Sequence, residues 1–336
     1  MRAREGDIIE SIDNLVFDVK GLVHPPSKVI AFPRFFPDPS GSRTYRGASY
    51  KKVYGLPERF EFLERNFPRY IVDDPVFDER LCEVPFEDVK EHYNPTYRLQ
   101  QLRSSKSLDE LETLALDLAS LLKQTASVSW QAIGISGSVM LGLQRPSSDI
   151  DLVVYGSKDC LKVYSVLEGL LSEKQGSLRR YVGKDLEGLF DFRSKDTAMN
   201  YEDFVRSESR KVMQGKFLGT DYFIRFVKDW DEVHQKYGDT QFVNIGYAKV
   251  KATVVEDSES VFTPCVYRIK KVHVLEGPHH APVQIASFRG RFCEQARNGE
   301  VIIAQGKVEQ VIDNVKDRQY FRLLIGNNRS DYMILA

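Results

Sequence analysis

One short stretch of the chain, residues 134–156, restricts the fold more than any other. An apolar segment runs into Gly137-Ser138, a short helical segment follows, and a second apolar segment opens with Asp149 and Asp151. Side chains two residues apart on a strand point to the same face, so both carboxylates should project together from the start of a buried strand. The pattern therefore predicts a strand–turn–helix–strand unit that carries an acidic pair.

The acidic pair and the Gly-Ser turn suggest complementary chemistry. Two carboxylates this close repel each other unless a cation lies between them. Oxygen-only ligands suit Mg²⁺ or Mn²⁺, and no His or Cys is near enough in sequence to favour zinc. Gly137 permits close backbone approach, and Ser138 adds a hydroxyl at the start of a helix, where N–H groups and the helix dipole hold phosphate oxygens. A divalent ion beside a phosphate-binding turn indicates phosphoryl or nucleotidyl transfer.

The spacing of these groups resembles a known signature. Gly137-Ser138, ten further residues and Asp149-Ile150-Asp151 are similar to the motif of the DNA polymerase beta-like nucleotidyltransferase superfamily. The whole chain is also similar to a group of uncharacterised archaeal predicted nucleotidyltransferases. The resemblance implies that Gly137 and Ser138 bind the β- and γ-phosphates of a nucleoside triphosphate such as ATP. It also implies that Asp149 and Asp151 bind two metal ions.

The resemblance further implies a third carboxylate on a later strand, which would bind metal and take the proton from the acceptor hydroxyl. Asp221 is the favoured position, because it opens a strongly alternating strand and points away from the apolar face of that strand. Asp191, within the predicted short strand Leu189–Phe192, is the alternative. Arg210 and Lys211, on a predicted polar helix, are candidate triphosphate ligands, although a solvated helix face is the simpler explanation of such charges.

Composition excludes several classes of protein. The 336 residues carry a net charge of −1, so the molecule as a whole is not a polycation. The four cysteines are widely spaced without a C-x-x-C, which predicts buried reduced thiols. No apolar run approaches the length of a membrane span, and the N-terminus lacks an apolar signal core. We therefore expect a cytoplasmic protein with no membrane partner.

The charge is unevenly distributed along the N-terminal region. Residues 20–70 contain ten Lys/Arg and four Asp/Glu, whereas residues 71–91 contain two and eight. Between residues 45 and 54, rings and cations alternate in a way that would suit phosphates and bases, but a partly packed loop is the favoured interpretation. The segment Ser287–Phe292 has the same two interpretations. The alternating residues are Tyr45, Arg46, Tyr50, Lys51, Lys52 and Tyr54.

The predicted elements indicate three domains. Residues 1–105 are expected to form a mixed α/β accessory domain whose acidic part, 71–91, is a surface connector with helical pieces. Residues 106–238 form the nucleotidyltransferase core, opened by an amphipathic helix with a capping box at Ser107-x-x-Glu110. Residues 239–336 contain about five strands and predict a small antiparallel barrel or sandwich. The predicted fold class is α+β, with a polymerase beta-like mixed sheet as its core.

The expected function is that of an enzyme, a metal-dependent nucleotidyltransferase. It would move a nucleoside monophosphate from an NTP to a hydroxyl and release pyrophosphate. An RNA 3′ end is the favoured acceptor, with a DNA end as a variant, because accessory domains and a basic-aromatic stretch accompany the core. Two alternatives stay open at this point: transfer to a protein or small-molecule hydroxyl, and a catalytically silent module that binds nucleotide or RNA.

Overall fold

The computed structural model describes residues 1–173 and 175–336, and within them the protein is a mixed α+β structure. No helix in this part of the chain is long and apolar enough to cross a membrane. The α-helices are α1 (Leu56–Asn66), α2 (Pro95–Ser104), α3 (Glu110–Thr125), α4 (Gly137–Leu141), α5 (Ser157–Leu170), α6 (Lys184–Arg193) and α7 (Tyr201–Glu208). The strands are β1 (Ile8–Ser11), β2 (Val16–Val19), β3 (Lys28–Pro37), β4 (Arg43–Tyr45), β5 (Ala48–Lys52), β6 (Ile71–Asp74), β7 (Glu79–Pro85), β8 (Val89–Tyr93), β9 (Ile133–Ile135), β10 (Ile150–Tyr155), β11 (Leu178–Arg179), β12 (Gln214–Phe217), β13 (Thr220–Val227), β14 (Thr240–Glu256), β15 (Cys265–Glu276), β16 (Gln284–Ser287), β17 (Val301–Asp313), β18 (Arg318–Leu324) and β19 (Tyr332–Leu335).

The chain forms two compact units, and these differ from the three predicted domains. The N-terminal strands belong with the acidic pair, because Ile8 and Phe35 share a buried cluster with Met140 and Leu141 of α4. The first unit consists of Met1–Val72, Leu81–Arg179 and Val212–His234, and the second of Asp73–Arg80, Arg180–Lys211 and Gln235–Ala336.

The first unit contains an N-terminal sheet in the order β4-β5-β3-β2-β1-β8, with β7 added to β3 and β6 to β7. The hairpin of β1 and β2 turns at Asn14, whose positive φ of 61° suits the predicted turn. The prediction of a helical surface connector at residues 71–91 is wrong. Cys82 and Val84 are fully buried in the core cluster of this sheet, so the acidic residues around them occupy strands β6, β7 and β8.

A second sheet of the first unit, in the order β11-β12-β13-β10-β9, carries the acidic pair. Its central strand β10 pairs parallel with β13 and antiparallel with β9. The predicted helix before it is α3, and its leucine stripe is buried as expected. The capping box lies two residues later than predicted, because the Asp109 carboxylate accepts from the N–H of Glu112 at 2.8 Å.

The second unit is built on a ring of strands, which confirms the predicted β-rich region. The pairings run β14–β15–β16–β18–β17 and return from β17 to β14, and β19 adds to β17. Every pair in the ring is antiparallel except β16–β18. The ring has a buried lining that includes Val250, Tyr267, Ile285 and Leu323.

Two helices, α6 and α7, complete the second unit. The predicted strand Leu189–Phe192 is wrong, because it lies inside α6. Leu186, Leu189 and Phe190 follow helical spacing and pack in one cluster with Phe204 of α7, so their period is that of a helix. The four cysteines are free and buried, as predicted.

Candidate functional site

The two aspartates lie at the start of the central strand of the second sheet. Asp149 immediately precedes β10, and Asp151 is its second residue. Both are half-buried, whereas Ile150 between them is fully buried on the opposite face. The alternation predicted for this strand is therefore confirmed, and it places two carboxylates on one side of the sheet.

The Gly-Ser turn forms the seat of the second carboxylate. Gly137 has a φ of +60°, and a Cβ at this position would lie 2.7 Å from Cγ and 2.9 Å from Cβ of Asp151, with Oδ2 closer still. The N–H of Ser136 donates to the backbone oxygen of Asp151 at 2.9 Å. Only glycine allows the turn and the carboxylate to approach this closely, so the two halves of the sequence motif are in direct contact.

The residues around Gly137 hold the turn in place. Ser136 Oγ donates to the carbonyl oxygen of Gly6 at 2.7 Å, which ties the turn to the N-terminal segment. Ser138 is only 5% exposed, and α4 has five residues. The dipole of so short a helix is small, so the phosphate contact expected of Ser138 would depend on individual N–H groups and its hydroxyl. That contact stays a prediction.

The acidic pair has an unusual titration. Burial, followed by the charge of Asp149, raises the pKa of Asp151 to about 7, while Arg225, Lys52 and Arg34 oppose the rise. Two half-buried carboxylates that share one region are thus poorly accommodated as a doubly charged pair. Their oxygen donors fit a hard divalent cation such as Mg²⁺, which would neutralise both charges.

This raised pKa predicts how stability depends on pH. An unfolded aspartate titrates near 3.9. Because the folded pKa of Asp151 is higher, the folded state holds a proton that the unfolded chain has lost, and the stabilisation from it disappears as the pH rises from about 4 to about 7. We expect Mg²⁺ to raise the melting temperature by at least about 2 °C more at about pH 8 than at about pH 5. Thermal unfolding with and without MgCl₂ measures this difference.

Asp149→Asn provides the control for the pH prediction. It removes one carboxylate and the repulsion, so most of the Mg²⁺ effect and its pH dependence should vanish. Equal Mg²⁺ shifts at both pH values in the unaltered protein would contradict a metal site at the acidic pair.

Cations of the N-terminal sheet face the acidic pair. Lys52 and Arg34 act on the Asp151 carboxylate, as noted above. Burial lowers the pKa of the Arg43 guanidinium; nearby Arg145 and Arg34 lower it further, and the negative charge of Asp149 opposes them. We call Arg34, Arg43, Lys52 and Arg145 the basic rim.

Most of the basic rim has no acidic partner. Arg34 Nε lies 3.6 Å from Asp18 Oδ2. Arg43 and Arg145 donate to backbone carbonyl oxygens, and Lys52 Nζ lies 4.6 Å from the centre of the Tyr54 ring. In the described ranges, no carboxylate lies within ion-pairing distance of these three side chains. An incompletely neutralised rim beside two carboxylates suits a ligand that carries several negative charges together with a cation.

The basic-aromatic stretch of the sequence thus divides into two parts. Tyr45 and Tyr50 are buried in the core, as the favoured interpretation stated. Lys52 nevertheless belongs to the site, and Arg43 and Arg145 were not identified from the sequence. The one available signal was the position of Arg145 inside the motif, four residues before Asp149.

Asp221 lies on the strand next to the acidic pair but is not assembled with it. Asp151 stands opposite Phe223 in the parallel register, so Asp221 occupies the same face two positions earlier. Its carboxylate accepts an ion pair from Lys216 Nζ at 2.8 Å. No group of three or more His, Cys, Asp or Glu side chains poised for a metal occurs among the residues the structure covers. The predicted set of three carboxylates is therefore not formed here.

The other predicted site residues lie in the second unit. Asp191 is exposed on α6. Arg210 binds Glu300 at 2.7 Å, and the buried Lys211 binds Glu208 at 2.6 Å. These ion pairs occupy both cations, so we do not assign Arg210 and Lys211 to a triphosphate.

The segment Ser287–Phe292 is also structural rather than an exposed polyanion site. Arg289 donates to Asp196 at 2.7 Å, and Arg291 binds the same carboxylate. This pairing matches the favoured interpretation of its basic residues.

Comparison with known proteins gives one clear relative. The chain is 32% identical to the "Uncharacterized protein MJ1086" of the archaeon Methanocaldococcus jannaschii over 342 aligned positions, which cover 99% of this chain and 98% of the relative. No family profile matches the chain. No solved structure matches it either.

Proposed function

The chain belongs to the same family as the Methanocaldococcus jannaschii protein MJ1086, and we propose that it is a metal-dependent nucleotidyltransferase. The proposed reaction moves a nucleoside monophosphate from an NTP to a hydroxyl and releases pyrophosphate. One observation carries the proposal: the close carboxylate pair Asp149 and Asp151 is seated on Gly137 beside a basic rim that lacks acidic partners. An NTP with its divalent cation matches both charges.

Each part of the site would have a separate task. Asp149 and Asp151 would hold the divalent ion, which when bound neutralises the acidic pair and withdraws electrons from a phosphate. Arg43, Lys52 and Arg145 would orient the β- and γ-phosphates and stabilise the charge that develops on the leaving pyrophosphate. Gly137 keeps the carboxylate in position, since a side chain there would displace it.

Asp221 is the proposed general base. It shares a face with the acidic pair, and its ion pair with Lys216 is exposed on the aspartate side, at 47% of the side chain. Exposed ion pairs contribute only about 0–1 kcal/mol, so rotation of Asp221 away from Lys216 costs little. Its carboxylate could then accept the proton of the acceptor hydroxyl.

The same ion pair favours a second candidate function. If Asp221 stays with Lys216, no third carboxylate lies beside the acidic pair, and the protein would bind an NTP without transferring it. This silent nucleotide-binding module differs from the enzyme only in the missing base.

Transfer assays separate the two candidates. The protein would be mixed with Mg²⁺, each labelled NTP and one acceptor at a time: RNA ends, DNA ends, protein or small-molecule alcohols. Transfer that is lost in Asp221→Asn, with NTP binding retained, supports the enzyme. NTP binding by the unaltered protein without transfer to any acceptor supports the silent module, and absence of NTP binding refutes both. Asp317→Asn, an exposed aspartate of the second unit, is the control.

The basic rim gives a direct binding prediction. Lys52→Gln should raise the dissociation constant for Mg²⁺-NTP about 10-fold, because it removes one charge-assisted phosphate contact. Isothermal titration calorimetry measures the change. Lys51→Gln is the matched control, because Lys51 is the neighbouring, fully exposed residue of β5 and points to the other face. Equal affinities of the two variants would remove Lys52 from the site.

A further inference from the structure

The ring of strands in the second unit has a distinctive connectivity. Its five strands follow the order first-second-third-fifth-fourth and return to the first, and the third and fifth, β16 and β18, are the single parallel pair. This is the connectivity of the OB fold, a small Greek-key barrel. Barrels of this type bind oligonucleotides or oligosaccharides on the face of their second and third strands. Fold alone does not establish a ligand, so the face itself must decide.

The outer face of β14 and β15 carries a compact group of cations. Lys251 stands opposite His273, and Thr253 stands opposite Lys270. The register shifts between these rows, and Lys271 has a φ of +52°, so both Lys270 and Lys271 are exposed instead of alternating across the sheet. We call Lys251, Lys270, Lys271 and His273 the cationic face.

The cationic face differs from the charges that border it. At one end Arg268 binds Glu256 at 3.0 Å, and at the other Lys249 binds Glu276 at 3.4 Å. By contrast, none of the four side chains of the cationic face has an ion pair with any residue that the structure describes. Three exposed lysines and a histidine on two adjacent strands repel one another, and a bound polyanion would relieve that repulsion.

Aromatic rings lie across the same barrel surface. The main chain joins Ile269 to Val283 at 3.0 Å and Val283 to Phe321 at 2.9 Å, so β15, the segment before β16 and β18 lie side by side. The exposed His280 ring stacks on Phe321 with 4.4 Å between centroids. At a strand spacing of about 4.8 Å, these rings lie about 10 Å from β15. Flat rings next to lysines are what unpaired bases and their phosphates require.

We propose that this barrel binds single-stranded nucleic acid, with phosphates on the cationic face and a base stacked at His280 and Phe321. A neutral oligosaccharide would gain nothing from three unpaired lysines, and a duplex would hide its base faces from the rings. The proposal goes beyond nucleotidyl transfer and does not depend on it, since binding is measured without NTP or Mg²⁺.

The test uses the full chain and a fluorescent single-stranded RNA of about 20 nucleotides. Each phosphate contact to a single strand contributes about −0.7 to the slope of log K against log salt concentration. Lys251→Gln/Lys270→Gln/Lys271→Gln should therefore reduce that slope by about 2 and weaken binding about 100-fold near 0.1 M salt. His280→Ala should weaken it about 10-fold through lost stacking.

Two controls separate this surface from the rest of the protein. Lys195→Gln/Arg297→Gln/Arg329→Gln removes three exposed cations outside β14 and β15, and Asp149→Asn alters the proposed transfer site. Both should bind RNA like the unaltered protein. Unchanged binding in the cationic-face variant would overturn the proposal, as would equal or tighter binding of the matching duplex. Binding of heparin but not of single strands would instead assign the face to an acidic polysaccharide.

Discussion

Replacement of Asp151 by asparagine should reduce nucleotidyl transfer at least about 1,000-fold while leaving the fold intact. The reason is that one of the two carboxylates facing the NTP would lose its charge, and the charge stabilisation that a metal supplies is worth several kcal/mol. The same substitution should stabilise the metal-free protein above pH 7, because the partly buried charge and its repulsion from Asp149 are removed. Initial rates and thermal unfolding at about pH 8 measure the two effects.

The opposite signs of these two effects make the prediction specific. A residue that only supports the fold would lose activity and stability together when it is replaced. Asp317→Asn, at an exposed position where φ is +45° and asparagine is well tolerated, should change neither quantity. Full activity of the Asp151 variant would rule out the acidic pair as the reaction centre.

Gly137→Ala should be the most disruptive change of a single small side chain. Its φ of +60° costs an alanine about 1 kcal/mol, and the added Cβ would overlap the Asp151 carboxylate, for about 3 kcal/mol in all. Displacing the carboxylate should also abolish the Mg²⁺-dependent rise in melting temperature. Denaturant unfolding and thermal shifts with MgCl₂ measure the two consequences.

Gly142→Ala is the matched control for that change. Gly142 follows the same short helix with a similar φ of +68°, but a Cβ there would meet nothing within 4 Å. It should therefore cost only about 1 kcal/mol and leave the response to Mg²⁺ unchanged. If both glycine variants behave alike, backbone strain alone would explain Gly137, and contact with Asp151 would have no role.

Strong local patterns were enough to predict much of the fold. The alternation in β10 and β13 and the five turn-bounded strands after residue 238 depend on neighbouring residues, which is why these elements agree with the structure. Leu189–Phe192 shows the limit of such patterns. Its short apolar run is compatible with a strand or a helix, and packing against Phe204 decides for the helix.

The candidate site could be predicted only in its local half. Gly137, Asp149 and Asp151 are close in sequence, so their proximity follows from one turn and one strand. Arg43 and Lys52 come from strands about a hundred residues earlier, and no local rule indicates that they will meet the aspartates. Asp221 shows a third case: alternation predicted its face, but the ion pair with Lys216 depends on the register of β12 against β13.

The order in which the sheet of the acidic pair is made has a consequence for biosynthesis. Tyr155 ends β10, but its parallel neighbour begins only at Thr220, after the ribosome has also made the second-unit segment Arg180–Lys211. During that interval the strand that carries Asp151 has an open, apolar edge. Such long-range pairing is slow and leaves nascent chains prone to aggregation. Chains released before β13 emerges should therefore be clients of chaperones, and they would lack both the final sheet and Asp221.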